Sequence, residues 1–460
     1  MIERTIQIEG FPFINFREFS IIQGVNQHMT AKMKGNISEE FADELREKHL
    51  QNQPIMIRAK GDDGQQRDWL GGIIEDFRLS VQGGVHTLSL KIISHSKKSD
   101  IHRYIRTFQD STLTYRDVAD ILGKQSDDLH ILITDECCDK PIDTFLVQHE
   151  ETDWEFAMRL ASRAHTFLFP CARLDYNGIY MGLSDSVDKH VLDTTEYIMR
   201  RDMDEFHRSQ TDETLTCLEQ CAVSYIVKSR EIYSLRHCIV LNGMELYVYA
   251  IQSELVGAEL IHTYTLKVWH GFRTKATFNR ELVGVTLTGN VHNVQKDMVQ
   301  INVQNDIEQR EYRWFPYSTI YSSPDDTGWY FMPEIGDQVR LTFPNEHELD
   351  SYVVSSVHMG DRANPDNKSI RTKYQKEIVF SPDSIYISNG AGSHIELHDE
   401  NGITIHSDNQ IRIESGGNID IQGQGEVSIL GDAGASIQQG ENRIDVDDTV
   451  DITAGRLRMR

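Results

Sequence analysis

Side chains that could perform acid–base chemistry are numerous in this sequence, but they do not occur in catalytic arrangements. Adjacent carboxylates occur in three places, at Asp127 and Asp128, Asp325 and Asp326, and Asp447 and Asp448. Two carboxylates that hydrolyse glycosides must flank a cleft at a set separation, whereas these pairs have the setting of solvated turns. No Ser/His/Asp or Cys/His pattern and no phosphate-binding glycine loop stands out. The sequence therefore predicts a protein that is not an enzyme.

Histidines and cysteines are the candidate metal ligands. His394, His398 and His406 lie close together, but strand alternation points His394 and His398 away from the face of Ile395 and Leu397. We interpret these histidines as displayed outward, with a metal ladder as the alternative. The six cysteines lack zinc-ligand spacing and are predicted to be reduced thiols; they are Cys137, Cys138, Cys171, Cys217, Cys221 and Cys238. We expect no metal and no cofactor.

Composition narrows the function classes further. The 460 residues include 71 acidic and 46 basic side chains, which gives a net charge of −25. This charge disfavours binding to nucleic acid or to an anionic membrane surface. The first residues resemble no signal peptide, and no apolar run approaches the length of a membrane span. We expect a chain that is made and assembled in the cytoplasm.

The clearest structural signal in the sequence is a repeat of aliphatic pairs near the C-terminus. Pairs of the form aliphatic-x-aliphatic begin every eight residues from 395 to 435. Each octad predicts a short strand with one apolar face, followed by a turn. A single chain has nowhere to bury this face, whereas three intertwined chains would bury it along a common axis and pair the strand edges. The predicted trimer core is Ile395, Leu397, Ile403, Ile405, Ile411, Ile413, Ile419, Ile421, Val427 and Ile429.

A single-chain β-solenoid is the alternative interpretation of this repeat. Its coils need about 20 residues to enclose a core, with aliphatics on every face. Eight residues are too few, so we favour an intertwined trimeric β-helix, or β-prism.

The rest of the chain is predicted to be mainly β. Residues 1–100 alternate between apolar and polar side chains, as in the strands of a β-barrel. Residues 101–173 are predicted to form an inserted α/β unit, and residues 174–277 a second barrel. Residues 278–358 have the rhythm of an OB-fold, 359–378 are a polar linker, and 379–460 form the β-prism. The segment 261–268 matches 85–92, and each follows a Leu-x-Gly that we interpret as a hairpin start. We therefore interpret the two barrels as duplicates, so that a trimer would have pseudo-sixfold symmetry.

Three stretches give the chain a resemblance to VgrG-type spike proteins of contractile injection systems, and to phage baseplate hub–spike and late-control D proteins. Residues 148–161 resemble the hub motif of this family, in which a Gln precedes Glu-Thr-Asp and a helix with Arg-Leu-Ala. Residues 329–343 resemble its OB strand pair, including the turn at 333–336, and the octads resemble its needle. In purely physical terms the first two are a helix core face and a turn.

The resemblance implies a homotrimeric, non-catalytic spike at the centre of a phage-tail-like baseplate. Its duplicated hub barrels would sit on a hexameric tube protein among baseplate proteins, and its needle would pierce a target envelope. A PAAR-type tip protein is expected at the C-terminal end, on Leu457 and Met459. The assembled particle would be released or anchored in the host cell. The alternatives are a trimeric tail-fibre enzyme that degrades polysaccharide and an adhesin that binds a receptor.

Overall fold

The chain forms two compact units, Met1–His358 and Met359–Arg460. The computed structural model describes all residues except 1–5, 48–52, 61–63, 127, 143, 173–175, 185–187, 213–214, 216–217, 258, 308–310, 326, 357–359, 361–363 and 459–460. Among the described residues, no helix has the length and apolarity needed to cross a membrane.

The first unit contains most of the secondary structure. In chain order its elements are β1 (Ile6–Ile8), β2 (Asn15–Gly24), β3 (Thr30–Ile37), α1 (Glu39–Glu47), β4 (Pro54–Lys60), β5 (Gln66–Gln82), β6 (Val85–Ser94), β7 (Arg103–Phe108), α2 (Tyr115–Gln125), β8 (Leu129–Ile133), β9 (Leu146–Thr152), α3 (Asp153–Arg163), β10 (Leu168–Pro170), β11 (Asn177–Met181), β12 (Lys189–Leu192), β13 (Ile198–Arg201), α4 (Met203–Ser209), β14 (Val223–Ser229), β15 (Cys238–Leu241), β16 (Met244–Val256), β17 (Glu259–Lys267), β18 (Thr286–Gln295), β19 (Met298–Val303), β20 (Trp314–Pro316), β21 (Gln338–Thr342) and β22 (Tyr352–Val354). The second unit contains β23 (Lys368–Arg371), β24 (Glu377–Phe380), β25 (Ser384–Ser388), β26 (Ser393–His398), β27 (Gly402–Ser407), β28 (Ala435–Gln439), β29 (Asn442–Val446) and β30 (Val450–Thr453).

The two predicted barrels share one twelve-stranded sheet. Its order is β1-β4-β5-β6-β3-β2-β16-β17-β14-β13, and β15 joins β16 and β12 at its margin. Antiparallel pairing of β2 with β16 links the two halves, and one apolar core runs through both. The matching segments of the sequence are the equivalent strands β6 and β17, each inside its half of the sheet.

One hairpin expectation within this sheet was wrong. Leu70-Gly71-Gly72 lies inside β5, and the chain turns at Gly83 and Gly84, both of which have positive φ. A Cβ on Gly72 would lie 2.2 Å from the backbone oxygen of Ile93 in β6. Gly72 therefore allows close approach of two strands rather than a turn. The Leu241-Asn242-Gly243 match does form a hairpin turn, between β15 and β16.

An α/β unit lies between the two halves of the sheet in the amino-acid sequence. Strand β7 pairs with β9, and β8 pairs with β11, which pairs with β10. Thr114 and Thr152 are the N-caps of α2 and α3, and each forms a reciprocal capping box with an acidic residue of the first turn. The apolar faces of both helices pack on these strands in a core of their own.

The OB unit is a five-stranded sheet in the order β20-β19-β18-β21-β22 around a separate core. The predicted strand 329–332 was wrong, since these residues form a loop outside the sheet, in which Trp329, Tyr330 and Phe331 are exposed. The turn at 333–336 is confirmed: Gly336 has a φ of 96° and donates its N–H to the oxygen of Val291. The mainly β fold with an OB domain is thus confirmed.

The second unit consists of two antiparallel meanders, β23 to β27 and β28 to β30. Strand β23 lies within the stretch predicted as a linker. The predicted strands at 411–429 are not formed, and residues 408–434 contain no strand. Such octads contain the apolar pattern of a strand, but backbone hydrogen bonds need a neighbour, and in one chain these segments have none. The β-prism remains a prediction.

Candidate functional sites

The motif at residues 148–161 builds a buried ion network. Thr152 is the N-cap of α3, and Arg159 lies two turns later on the buried side of the helix. The Arg159 guanidinium donates to both carboxylate oxygens of Glu151, at 2.8 and 2.7 Å, and to the backbone oxygen of Val147 at 2.6 Å. Its remaining nitrogen donates to Glu348 at 2.9 Å.

Glu348 extends this network into the OB unit. It lies in a short 3-10 turn between β21 and β22, its side chain is fully buried, and it also accepts from Arg163 at 3.4 Å. Burial acts to lower the pKa of Arg159, but the charges and hydrogen bonds of Glu151 and Glu348 outweigh burial and raise this pKa. Two cations and two carboxylates therefore form a neutral buried network that holds α3 to the OB unit.

Other motif residues fix the start of α3. The Gln148 amide donates to Asp153 at 3.1 Å and accepts from Arg106 at 3.0 Å, and Arg106 and Ser126 both donate to Asp153. The side chains of Trp154, Phe156 and Leu160 are buried, as their helical spacing predicts. These contacts join α3 to β7, β9 and the OB unit.

A second joint was not predicted from the sequence. Gln109 donates to Asp306 at 2.8 Å, and Arg313 donates to the backbone oxygen of Gln109 at 2.9 Å. Burial raises the pKa of Asp306 despite its hydrogen bonds. Like Glu348, these residues belong to polar stretches of ordinary composition, so no local signal separates them from surface loops.

The OB unit also has an exposed apolar loop. It surrounds a groove of about 700 Å³ between residues 317 and 332. Large side chains extend into solvent there: Ile320, Tyr321, Trp329, Tyr330 and Phe331. The loop is held by hydrogen bonds from Trp329 N–H to the oxygen of Tyr321 and from the Tyr330 hydroxyl to the oxygen of Lys296, both 2.8 Å. Contiguous apolar surface of this kind indicates an interaction site.

The aliphatic pairs of the second unit form ladders on its strands. In the first meander, Ile385 is opposite Leu397, and Leu397 is opposite Ile403; in the second, Ile437, Ile444 and Ile452 are in register. All ten predicted core residues are exposed, with exposed fractions between 39% and 75%. Pairing thus places the aliphatics of adjacent octads side by side, and no part of the chain's own described structure covers them.

The remaining predicted site residues are dispersed. Leu457 is exposed, and Met459 lies outside the described residues. His394 contacts the rings of Tyr386 and His406, which are 5.1 Å away, while the His398 ring accepts from backbone N–H groups of its own turn.

The carboxylate pairs and the cysteines show no catalytic grouping in the described structure. Asp128 pairs with Lys98, and Asp325 and Asp447 accept from neighbouring threonines. Asp127, Asp326 and Cys217 lie outside the described residues. The five described cysteines are free thiols, as predicted, and burial raises the pKa of Cys138 to about 12.

Comparison with known proteins identifies a domain family for one part of the chain. Residues 287–358 match the type VI secretion system/phage-baseplate injector OB domain. No curated protein matches.

Solved structures share the fold over most of the chain. The E. coli c3393 protein is a type VI secretion component described as structurally similar to the T4 bacteriophage tail proteins gp27 and gp5. It superposes with a TM-score of 0.52 at 12% identity, and the match covers 77% of this chain and 99% of that chain. A chain of the half-lidded Francisella PdpA–VgrG complex gives a TM-score of 0.54 at 10% identity, with 88% of each chain covered.

The chain thus carries a baseplate-injector OB domain at residues 287–358, and it shares its fold with a type VI secretion component and with a chain of the PdpA–VgrG complex. Within this class it resembles VgrG-type spike proteins, and the resemblance predicted from the sequence is confirmed.

Proposed function

We propose that this chain is the subunit of a homotrimeric central spike in a phage-tail-like contractile baseplate. The observation that carries the proposal is the exposure of aliphatic ladders in the second unit. Burying ten half-exposed side chains at about 1 kcal/mol each stabilises an assembly by about 10 kcal/mol per chain. Three copies wound around one axis would bury these faces and pair the unformed strands at 411–429.

The first unit supplies the hub in this proposal. Two equivalent halves of one sheet in each chain give six in a trimer, which suits a hexameric tube. The apolar loop of the OB unit offers a second surface for contact between copies. The buried network around Arg159 would transmit force between hub and OB unit without local unfolding, because breaking it leaves buried charges unpaired.

The mechanism is mechanical rather than catalytic. Contraction of a sheath would drive the needle through the target envelope, and a small tip protein would cover the last strand layer near Leu457 and Met459. Assembly in the cytoplasm before incorporation into the particle belongs to the same proposal. The similarity to a chain of the PdpA–VgrG complex supports a spike that binds partner proteins.

Substitution of one predicted trimer-core residue tests the proposal. Ile419→Asp would place three charges on the trimer axis, where burying each unpaired ion costs several kcal/mol. We expect size-exclusion chromatography to show loss of the trimer. Asn418→Asp adds the same charge at the adjacent position, on the opposite face of a strand, and should assemble normally. Equal assembly of both variants would contradict the proposal.

A further inference from the structure

Three metal-ligating side chains meet at the margin of the large sheet. Asp188 immediately precedes β12 and His190 lies within it, two positions apart and thus on one face of the strand. His237 immediately precedes β15, which pairs with β12 in parallel. The Cys238 N–H donates to the backbone oxygen of Asp188 at 3.0 Å, which fixes the two strand starts against each other.

The ligand atoms of this cluster converge. One atom from each of Asp188, His190 and His237 lies within 4.8 Å of the other two. His237 Nε2 is 3.9 Å from an Asp188 carboxylate oxygen, and the two imidazole rings stack with centroids 4.8 Å apart. Lys189, which lies between two of these residues in the sequence, pairs with Glu245 at 2.7 Å.

His190 supplies an independent indication of a ligand. Its Nε2 is buried and has no hydrogen-bond partner within the described part of the chain. Buried ring nitrogens normally have a donor, an acceptor or a metal. Tyr233 packs against the same ring at 5.1 Å, so the imidazole is held in place beside His237.

We propose that Asp188, His190 and His237 bind a zinc ion. Two imidazole nitrogens and one carboxylate oxygen are a zinc-type set, whereas calcium and magnesium prefer oxygen ligands alone. In a tetrahedral site with bonds of about 2.0–2.2 Å the ligand atoms lie about 3.3–3.6 Å apart. The ligand atoms of this cluster, now up to 4.8 Å apart, must therefore approach one another by up to about 1.5 Å when zinc binds. Because the Asp188 side chain is 82% exposed, water can supply the fourth ligand.

Zinc binding would also change a hydrogen bond at His237. Its Nδ1 now accepts a 3.4 Å hydrogen bond from the Ser234 N–H. With zinc on Nε2, Nδ1 carries the proton, so this long hydrogen bond is given up. The ion would in return fasten β12, a four-residue strand whose ladder partner is β15, to the sheet margin.

Calorimetric titration with zinc chloride tests the site on the untagged, chelator-treated full chain. We expect one zinc per chain and a higher Tm with zinc than without. His190→Asn and His237→Asn should each abolish the stoichiometric binding and the Tm shift. Asp188→Asn changes an exposed residue, so it should preserve the circular dichroism spectrum while weakening zinc binding.

A double variant at His394 and His406, both to Asn, is the matched control, because these histidines also lie close together. It should bind zinc as the unchanged protein does. The proposal is overturned if the unchanged chain binds no stoichiometric zinc, if well-folded Asp188 and His190 variants bind it unaltered, or if the control variant loses it. This test is independent of the trimeric assembly.

Discussion

Removal of the Glu348 carboxylate should loosen the joint between α3 and the OB unit. In Glu348→Ala, Arg159 retains Glu151, but the network of two cations and two carboxylates becomes positively charged, and Arg163 loses its 3.4 Å partner. Breaking a buried ion pair by removing one partner costs about 3–5 kcal/mol. With an unfolding entropy of about 2.1 cal/mol/K per residue over residues 1–358, this lowers Tm by about 4–7 °C.

Differential scanning calorimetry and limited proteolysis measure this effect. Glu346→Ala, two positions earlier on a more exposed side chain, is the control and should leave Tm within about 1 °C. Combining Glu348→Ala with Arg159→Met should lower Tm by less than the two single changes added together, since the residues share one network. A Glu348→Ala protein with unchanged Tm and unchanged cleavage would refute the role assigned to this joint.

Three further predictions concern the core and the tip. Burial lowers the pKa of His262 to about 4, so the folded protein does not take up the proton that the unfolded chain binds below pH 6.5. The free energy of unfolding should therefore fall by about 3 kcal/mol between pH 7 and pH 4, and it should fall by less in His262→Gln. Denaturant titrations at both pH values measure this difference. Gly72→Ala should lower the free energy of unfolding by about 1–3 kcal/mol, because the added Cβ would lie 2.2 Å from the backbone oxygen of Ile93. Thermal unfolding measures this change. Deleting residues 454–460 should remove a small distal protein from purified native particles, detected by mass spectrometry; an unchanged particle composition would contradict the tip proposal.

Sequence periodicity located much of this fold because local rules and tertiary structure agree there. Thr114 and Thr152 are followed by acidic residues that complete capping boxes, and both helices form where their apolar spacing indicates. The β6 and β17 similarity predicted equivalent strands in the sheet. These features depend on neighbours within a few residues.

Long-range contacts explain what the sequence did not reveal. Gly72 resembles a turn residue, but its role is set by the backbone of β6, across the sheet. Glu348 and Arg159 are 189 positions apart, and no spacing rule relates them. The aromatic run at 329–332 has strand composition, yet β18, β19 and β21 already fill the centre of the OB sheet. His190 and His237 likewise meet only through strand pairing.

The trimer is the central claim, and the mass of the purified chain in solution tests it most directly. Multi-angle light scattering on the full-length protein should give about three times the chain mass of 52.8 kDa. Because only the assembly buries the apolar ladders, the trimer should be tight and should persist on dilution. A monodisperse species of 52.8 kDa with a protease-resistant C-terminal unit would contradict the account.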